Sequence, residues 1–127
     1  MAIRTELTLR LPNSPGALTE ICAALAAERV RVLALQLEAN GTLRLVVDNP
    51  VRAAGALRER RHKVSETDVV VAAVSNAHGA LASTLALLRD TGTNVDYAYA
   101  ASSESSETTF LVIGVDDALR AASASGL

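Results

Sequence analysis

Two stretches of the chain, LPNSPGAL at residues 11–18 and VSNAHGAL at residues 74–81, each combine an apolar strand end, an asparagine and the triplet Gly-Ala-Leu. The apolar residues that follow each triplet are spaced as in a helix, so each glycine falls at a predicted helix start. A helix start carries unpaired N–H groups and the positive end of the helix dipole, which suit a carboxylate or a phosphate. Ser14 is predicted to cap the first helix, with Pro15 in its first turn.

A free amino acid has a carboxylate that such a helix start could bind. Its ammonium group would need an oxygen from Asn13 or Asn76, from Asp96, or from a carbonyl at a strand end. A glycine at positions 16 and 79 would let a ligand or a neighbouring chain approach the backbone. A second interpretation needs no ligand, because Gly16 and Gly79 would equally let the helix start pack closely on the sheet. The motif alone leaves both interpretations open.

The two stretches belong to a longer internal repeat, which suggests a fold built from two similar units. A shift of 63 positions aligns Leu7 with Val70, Leu9 with Ala72, Leu11 with Val74, Asn13 with Asn76, Gly16 with Gly79, Leu18 with Leu81, Leu25 with Leu88 and Val32 with Val95. Farther along, Val47-Asp48 matches Val115-Asp116 at a shift of 68 positions. The extra residues lie in SSESSE, residues 102–107, which is predicted to be a solvated hairpin loop.

Each copy predicts the order strand, helix, strand, strand, helix. Apolar and polar residues alternate in residues 3–11 as in a half-buried strand, and residues 18–25 switch to helical spacing. Residues 30–39 and 42–48 read as strands joined by a tight hairpin at Asn40-Gly41, and a second helix starts after Asn49-Pro50. In the second copy the first helix is predicted to turn Leu81, Leu85 and Leu88 inward.

The fold class predicted from this order is α+β. Residues 64–74, VSETDVVVAAV, are predicted to close the first copy and open the second. We therefore expect two ferredoxin-like βαββαβ units in tandem, at residues 1–66 and 67–127, with antiparallel sheets and helices on one face. The second unit is predicted to lack its last strand, because no strand pattern follows Gly126 and Leu127.

Composition argues against several functional classes. The chain has 127 residues and a net charge of -2, which provides no general attraction to nucleic acid or to an anionic membrane. Its halves differ, since residues 1–63 carry 10 basic and 6 acidic residues while residues 64–127 carry 2 and 8. The N-terminal MAIRTELTLRL alternates instead of forming an apolar signal, so a cytoplasmic protein is expected. The single cysteine, Cys22, falls on the apolar stripe of the first helix and is predicted to be buried.

The sequence contains no pattern typical of an enzyme. There is no metal-ligand spacing, no Gly-rich loop followed by lysine and no nucleophile elbow, so we expect no catalysis, no cofactor and no metal. His78 is interpreted as an exposed residue at a helix start. The basic run RERRHK at residues 58–63 is interpreted as cations at a helix C-terminus, and Asp116-Asp117 as a helix cap.

The motif N-x-P-G-x-L, followed by a helix, a strand, a hairpin and D-N-P or D-D before a second helix, resembles the ACT domain. ACT domains are small-molecule sensing modules of amino acid metabolism, and this chain looks like a tandem ACT protein with little besides the two units. The resemblance implies side-by-side pairing of units and amino acid binding near the first strand-to-helix loop. It assigns as ligand-binding candidates Asn13, Ser14, Pro15, Gly16, Ala17, Leu18, Asn76, Ala77, His78, Gly79, Ala80, Leu81, Asn94 and Asp96.

Two departures from the family pattern predict unequal sites: His78 replaces the usual proline, and Arg31 stands where the second copy has Asn94. The expected function is that of a free-standing regulatory protein that binds an amino acid. The protein would then alter its own assembly as a homodimer, or a partner enzyme of amino acid metabolism, as an allosteric sensor. The alternative is an interaction module that binds no ligand and only builds oligomers through sheet edges.

Overall fold

The computed structural model of the chain describes residues 1–124. Within these residues, no helix is long and apolar enough to span a bilayer. The helices and strands in chain order are β1 (Ala2–Arg10), α1 (Ala17–Ala27), β2 (Val32–Leu37), β3 (Thr42–Val47), α2 (Pro50–Glu59), β4 (Ser65–Ser75), α3 (Ala80–Asp90), β5 (Val95–Ala101), β6 (Thr108–Val115) and α4 (Ala118–Ala124). The fold class is therefore α+β, as predicted.

The chain divides into two compact units. The first unit is Thr5–Thr67, and the second unit combines Met1–Arg4 with the residues from Asp68 onward. The unit boundaries fall inside two strands of the chain, so β1 and β4 each contribute residues to both units. The first unit has 9 basic and 7 acidic residues and the second has 3 and 7, so the charge difference between the halves of the chain is retained.

In the first unit, three antiparallel strands lie in the order β2-β3-β1. Leu45 of β3 lies opposite both Leu7 of β1 and Leu35 of β2. The β2–β3 hairpin contains Gly41 at φ +94°, and a Cβ there would collide with the carbonyl oxygen of Leu11. A glycine is therefore required at this turn for two reasons, the left-handed backbone and the close approach of β1.

The core of the first unit forms between these strands and the helices α1 and α2. Ile21 and Leu25 of α1 and Leu57 of α2 are buried against alternate strand residues. Each fully buried leucine or isoleucine contributes about 1.5–3 kcal/mol relative to an exposed one. Cys22 of α1 is only half-buried, whereas the sequence predicted that it would be buried.

Side chains cap the helices α2 and α4; the cap of α4 by the Asp116-Asp117 pair was predicted, and the cap of α2 by Asn49 was not. The Asn49 side chain accepts the N–H of Arg52 at 3.1 Å, with Pro50 as the first residue of α2. Asp117 accepts the N–H of Arg120 at 2.9 Å at the start of α4. Each cap satisfies an N–H group that the helix itself leaves unpaired.

In the second unit, antiparallel strands lie in the order β4-β6-β5. Val70 of β4 lies opposite Ile113 of β6, and Leu88 of α3 packs into the same core cluster. On β5, Tyr97 pairs with Gly114 of β6, and a Cβ on that glycine would run into the tyrosine ring. The ring therefore lies across the glycine, where any larger residue would displace it.

The start of β1 belongs to the second unit. Met1 packs against the second core cluster, and Ala2, Ile3 and Arg4 line the same surface cavity as Val71–Ala73 of β4. The predicted absence of a last strand concerns residues 125–127, which lie outside the described residues. The βαββαβ description of each unit stays a prediction.

The helix α3 is less buried than its spacing predicts. Leu88 is 1% exposed, but Leu81 is 41% and Leu85 is 37% exposed. Thr84 stands at the repeat position of Ile21, so α3 has a polar residue where α1 has a core residue. The second unit also pairs α3 with the short helix α4, which covers less of its surface. The predicted inward positions of Leu81 and Leu85 are therefore wrong.

Candidate functional site

The loop from β1 to α1 places Gly16, and not Ser14, at the start of the helix. Gly16 is the N-cap with φ +83°, α1 begins at Ala17, and no side chain caps it. The carbonyl of Ser14 accepts the N–H of Ala17 at 3.3 Å, and the carbonyl of Gly16 accepts that of Glu20 at 3.0 Å. The predicted Ser14 cap is therefore wrong, because a backbone turn precedes the helix where a capping side chain was expected.

The repeated glycine at position 79 has the same geometry. Gly79 is the N-cap of α3 with φ +82°, and Ala80 donates its N–H to the Ala77 carbonyl at 3.2 Å. No described atom lies within 4 Å of the place where a Cβ would stand on Gly16 or Gly79. The glycines are therefore needed for the left-handed backbone and not for close packing on the sheet. The space beside each helix start is open.

Around the first glycine, the structure forms a groove of about 390 Å³, which we call the Gly16 groove. It lies between the β1–α1 loop, the first turn of α1 and the end of β2. Its lining residues are Leu11, Pro12, Asn13, Ser14, Gly16, Ala17, Leu18, Thr19, Leu37, Glu38, Ala39 and Gly41. Five of the predicted ligand residues of the first copy line the groove, and Pro15 does not.

Four lining residues from β2 and its hairpin were not predicted as ligand-binding residues, Leu37, Glu38, Ala39 and Gly41. Glu38 accepts a hydrogen bond from Nε of Arg44 at 3.4 Å, and a second nitrogen of Arg44 lies 3.6 Å from the buried carboxylate of Glu6. The arginine thus holds the carboxylate of Glu38 beside the groove. The hairpin prediction at Asn40-Gly41 was the available signal, since this hairpin lies beside the end of β1, where Leu11 donates to the Gly41 carbonyl at 2.8 Å.

Polar groups of the Gly16 groove are available to a ligand. Among the described residues, the Asn13 side chain has no hydrogen-bond partner, and the start of α1 has no side-chain acceptor. The first N–H groups of a helix have no partner within it, so they offer donors to an anion. The groove therefore combines donors for a carboxylate with oxygens of Asn13 and Glu38 for an ammonium group.

The equivalent asparagine in the second copy has a structural role. The side-chain nitrogen of Asn76 donates to the carbonyl of Ser106 at 3.2 Å, and its oxygen accepts the hydroxyls of Ser102 and Thr109 at 3.3 Å each. Its backbone N–H donates to the carbonyl of Glu107 at 2.9 Å. Asn76 therefore anchors the loop of residues 102–107, and its oxygen is engaged where a free acceptor for an ammonium group was expected.

Asn94 and Asp96 do not join the Gly79 turn within the second unit. Ser75, which precedes this turn, pairs with Thr108 at the start of β6, whereas Val95 pairs with Val115 at its end. The strand between these pairs is about 23 Å long at about 3.3 Å per residue. Asn94 instead donates its N–H to Asp116 at 3.3 Å.

The other predicted residues of the second copy are Ala77, His78, Ala80 and Leu81, all at the Gly79 turn. His78 is exposed, as expected, and the hydroxyl of Ser75 accepts the N–H of Ala77 at 3.2 Å. The part of the chain that the structure describes contains no group of three or more His, Cys, Asp or Glu residues that could hold a metal ion.

Comparison with known proteins identifies the class of fold. No known family model matches the chain, and no curated protein matches it in sequence. The regulatory subunit of aspartate kinase from Thermus thermophilus, in its ligand-free form, is similar with a TM-score of 0.70 and 18% identity, over 97% of this chain and 91% of that chain. Aspartokinase III of E. coli, in complex with lysine and aspartate, is similar with a TM-score of 0.58 and 20% identity, over 94% of this chain and 30% of that chain. The fold is ACT-like.

A more similar structure identifies the family. Protein BT0572 from Bacteroides thetaiotaomicron has a TM-score of 0.87 and is 30% identical, over 96% of this chain and 85% of that chain. The chain belongs to the same protein family as BT0572.

Proposed function

We propose that the protein is a regulatory module that binds one free amino acid in the Gly16 groove. The ligand carboxylate accepts hydrogen bonds from the N–H groups at the start of α1, where the helix dipole is positive. The ligand ammonium group lies between the side-chain oxygen of Asn13 and the carboxylate of Glu38. The side chains of Leu18 and Leu37 provide an apolar wall on which the ligand side chain packs.

The observation that carries the proposal is the difference between the two repeated turns. Gly16 and Gly79 have nearly the same backbone angles, φ +83° and φ +82°, yet their asparagines differ. Asn13 is unengaged among the described residues, while Asn76 holds the loop of residues 102–107. We therefore assign one binding site to each chain, in the first unit. The lysine and aspartate complex of the similar aspartokinase III supports an amino acid as the ligand class.

Binding would regulate through differential affinity. A ligand that contacts the α1 start and the end of β2 at once favours the arrangement in which both sides of the groove are formed. We propose that this arrangement changes the assembly of a homodimer or the activity of a partner enzyme of amino acid metabolism in the cytoplasm. The module itself would be non-catalytic.

The test is calorimetric titration of the purified protein with each common amino acid. We expect one or two amino acids to bind, and Glu38→Gln and Asn13→Ala to weaken that binding by about tenfold or more, because each removes an ammonium partner. Glu59→Gln is the matched control, since it removes a carboxylate from the exposed end of α2, in the same unit, at a residue that does not line the groove. Unchanged binding in both groove variants would contradict the assigned site.

A second candidate function is a ligand-free oligomerisation module, and the edge of the first unit favours it. Leu35 and Leu37 of the terminal strand β2 are 41% and 43% exposed, an apolar edge that a second chain could cover. Sedimentation analysis with and without amino acids separates the two candidates. A stable dimer whose mass and stability respond to no amino acid would support the oligomerisation module instead.

A further inference from the structure

A second groove of the first unit has a different chemistry. It encloses about 560 Å³ and lies between the turn from α2 to β4 and the paired ends of β1 and β3. Its lining includes three cations, Arg10, Arg61 and Lys63, and three hydroxyls, Thr8, Thr42 and Ser65. We infer that this groove, the Arg61 groove, binds a small molecule through a polyphosphate group. It shares no lining residue with the Gly16 groove, and the inference is independent of the proposed function.

The cations of the basic run at residues 58–63 fall into two groups. Arg58 donates to the Val64 carbonyl at 2.9 Å and to Glu66 at 3.1 Å, and Arg60 donates to the Ala56 carbonyl at 3.3 Å. These two satisfy acceptors of the protein near the end of α2. In the described part of the chain, the side chains of Arg61 and Lys63 have no such acceptor. The helix-end interpretation therefore accounts for Arg58 and Arg60 and leaves two cations for a ligand.

The charge within the Arg61 groove is uncompensated. Its lining residues, all within the described range, include no aspartate or glutamate. Glu66, the acidic residue next to Ser65, is already paired with Arg58 at 3.1 Å. Arg10 donates from one nitrogen to the Asn40 carbonyl at 2.9 Å, which orients the guanidinium and leaves its other donors free. An anion in this groove would meet positive charge without a competing carboxylate.

The groove also offers neutral donors in the pattern that phosphate oxygens require. Arg10 and Thr42 are opposite each other across the β1–β3 pair, and Thr8 lies two residues back on the same strand face. Ser65 begins β4 on the far side of the α2–β4 turn. Hydroxyls beside guanidinium and ammonium groups provide several donors to one cluster of oxygens. A polyphosphate has enough oxygens and charge to engage donors on both sides of the groove.

Arg61 occupies a strained backbone position. Its φ is +68°, and its N–H donates to the Arg58 carbonyl at 2.9 Å. Glycine is the common residue at such a left-handed position after a helix. At the end of α3, Gly92 has φ +70° and donates in the same way to Arg89 at 3.0 Å. The fold thus accepts glycine at this kind of turn, and the arginine at position 61 adds a cation at the mouth of the groove. Arg29, at φ +58° after α1, has the same backbone but does not line the groove.

A small molecule fits the groove better than a nucleic acid. The volume is in the range of about 300–1,000 Å³ found for small-molecule sites. A nucleic acid requires an extended basic surface, whereas the whole chain has a net charge of -2 and no Phe, Tyr or Trp lines this groove. The ligand class is therefore a compound with two or more linked phosphates, either free pyrophosphate or a nucleoside diphosphate.

The test is calorimetric titration of the full chain with inorganic pyrophosphate and with ADP, each at low and at moderate salt. We expect binding that weakens as salt rises, and a loss of about tenfold or more in the double variant Arg61→Gly, Lys63→Gln. Arg29→Gly is the matched control, because it makes the same backbone change outside the groove and should leave the affinity unchanged. Glycine suits the left-handed turn, so both variants should fold, which thermal unfolding checks.

The outcomes decide the inference. Tighter binding of ADP than of pyrophosphate identifies a nucleotide site, and equal binding identifies a site for the polyphosphate group alone. The inference is overturned if neither compound binds at about 10 mM, a concentration above any useful affinity. It is also overturned if the double variant binds as well as the parent protein, or if an oligonucleotide binds while pyrophosphate does not.

Discussion

Replacing Gly16 or Gly79 with alanine should lower the free energy of unfolding by about 1–2 kcal/mol in each case, because a Cβ is unfavourable in the left-handed region. The two backbones differ by only one degree, with φ +83° and φ +82°. Neither new Cβ would meet a described atom within 4 Å, so no steric term adds to the conformational one. The two variants should therefore be destabilised equally.

Urea unfolding of both variants measures this directly. A loss of about 1 kcal/mol corresponds to a fall in melting temperature of about 4 °C for a chain of this length. A difference between the two variants of more than about 1 kcal/mol would refute the argument, since identical geometry and open surroundings predict equal costs. An unchanged or raised stability in either variant would refute it as well.

The alanine variants at Gly16 and Gly79 also distinguish an effect on ligand binding from an effect on stability. An alanine at position 16 places a methyl group at the α1 start, inside the Gly16 groove, and should weaken amino acid binding. An alanine at position 79 should leave binding unchanged at equal cost in stability. A ligand at 100 times its dissociation constant stabilises a protein by about 2.7 kcal/mol, so a thermal shift of several degrees in the Gly79 variant should be lost in the Gly16 variant.

Three further substitutions test the packing described above. Asn76→Ala removes the side-chain hydrogen bonds that hold residues 102–107, so hydrogen exchange in that loop should rise and stability should fall by about 1–3 kcal/mol. Gly114→Ala should cost about 1–3 kcal/mol through the Tyr97 ring, and Tyr97→Ala in the same chain should recover part of this in a double-mutant cycle. Asn49→Ala should cost about 1 kcal/mol in urea unfolding by removing the α2 cap.

Most of the secondary structure could be predicted from local patterns. The alternation in β1, the hairpin at Asn40-Gly41 and the helix start at Pro50 each depend on residues a few positions apart, and the structure confirms them. The burial of α3 could not be predicted this way. The spacing of Leu81 and Leu85 indicates which residues share a helix face, but not whether another element covers that face.

Some residues of the candidate site could also be predicted from a local motif, and others could not. Asn13, Gly16 and Leu18 are close in sequence, so one local motif was enough to group them. Glu38 joins them only because the β2–β3 hairpin lies beside the end of β1, and its carboxylate is held there by Arg44 of β3. The second-copy candidates Asn94 and Asp96 were grouped by resemblance, and strand pairing places them at the other end of β6 from the Gly79 turn.

The sequence by itself determined the repeat, the order of the elements and the glycine repeated near the two helix starts, because each follows from side-chain periodicity and short local motifs. The left-handed backbone of these two glycines became known only from the structure. Only the tertiary structure decided that Met1–Arg4 joins the second unit and that Asn76 is engaged by the loop of residues 102–107. It also decided that Arg61 and Lys63 line one groove. These features depend on which distant segments pair, and pairing is set by the burial of whole faces instead of by any local residue pattern.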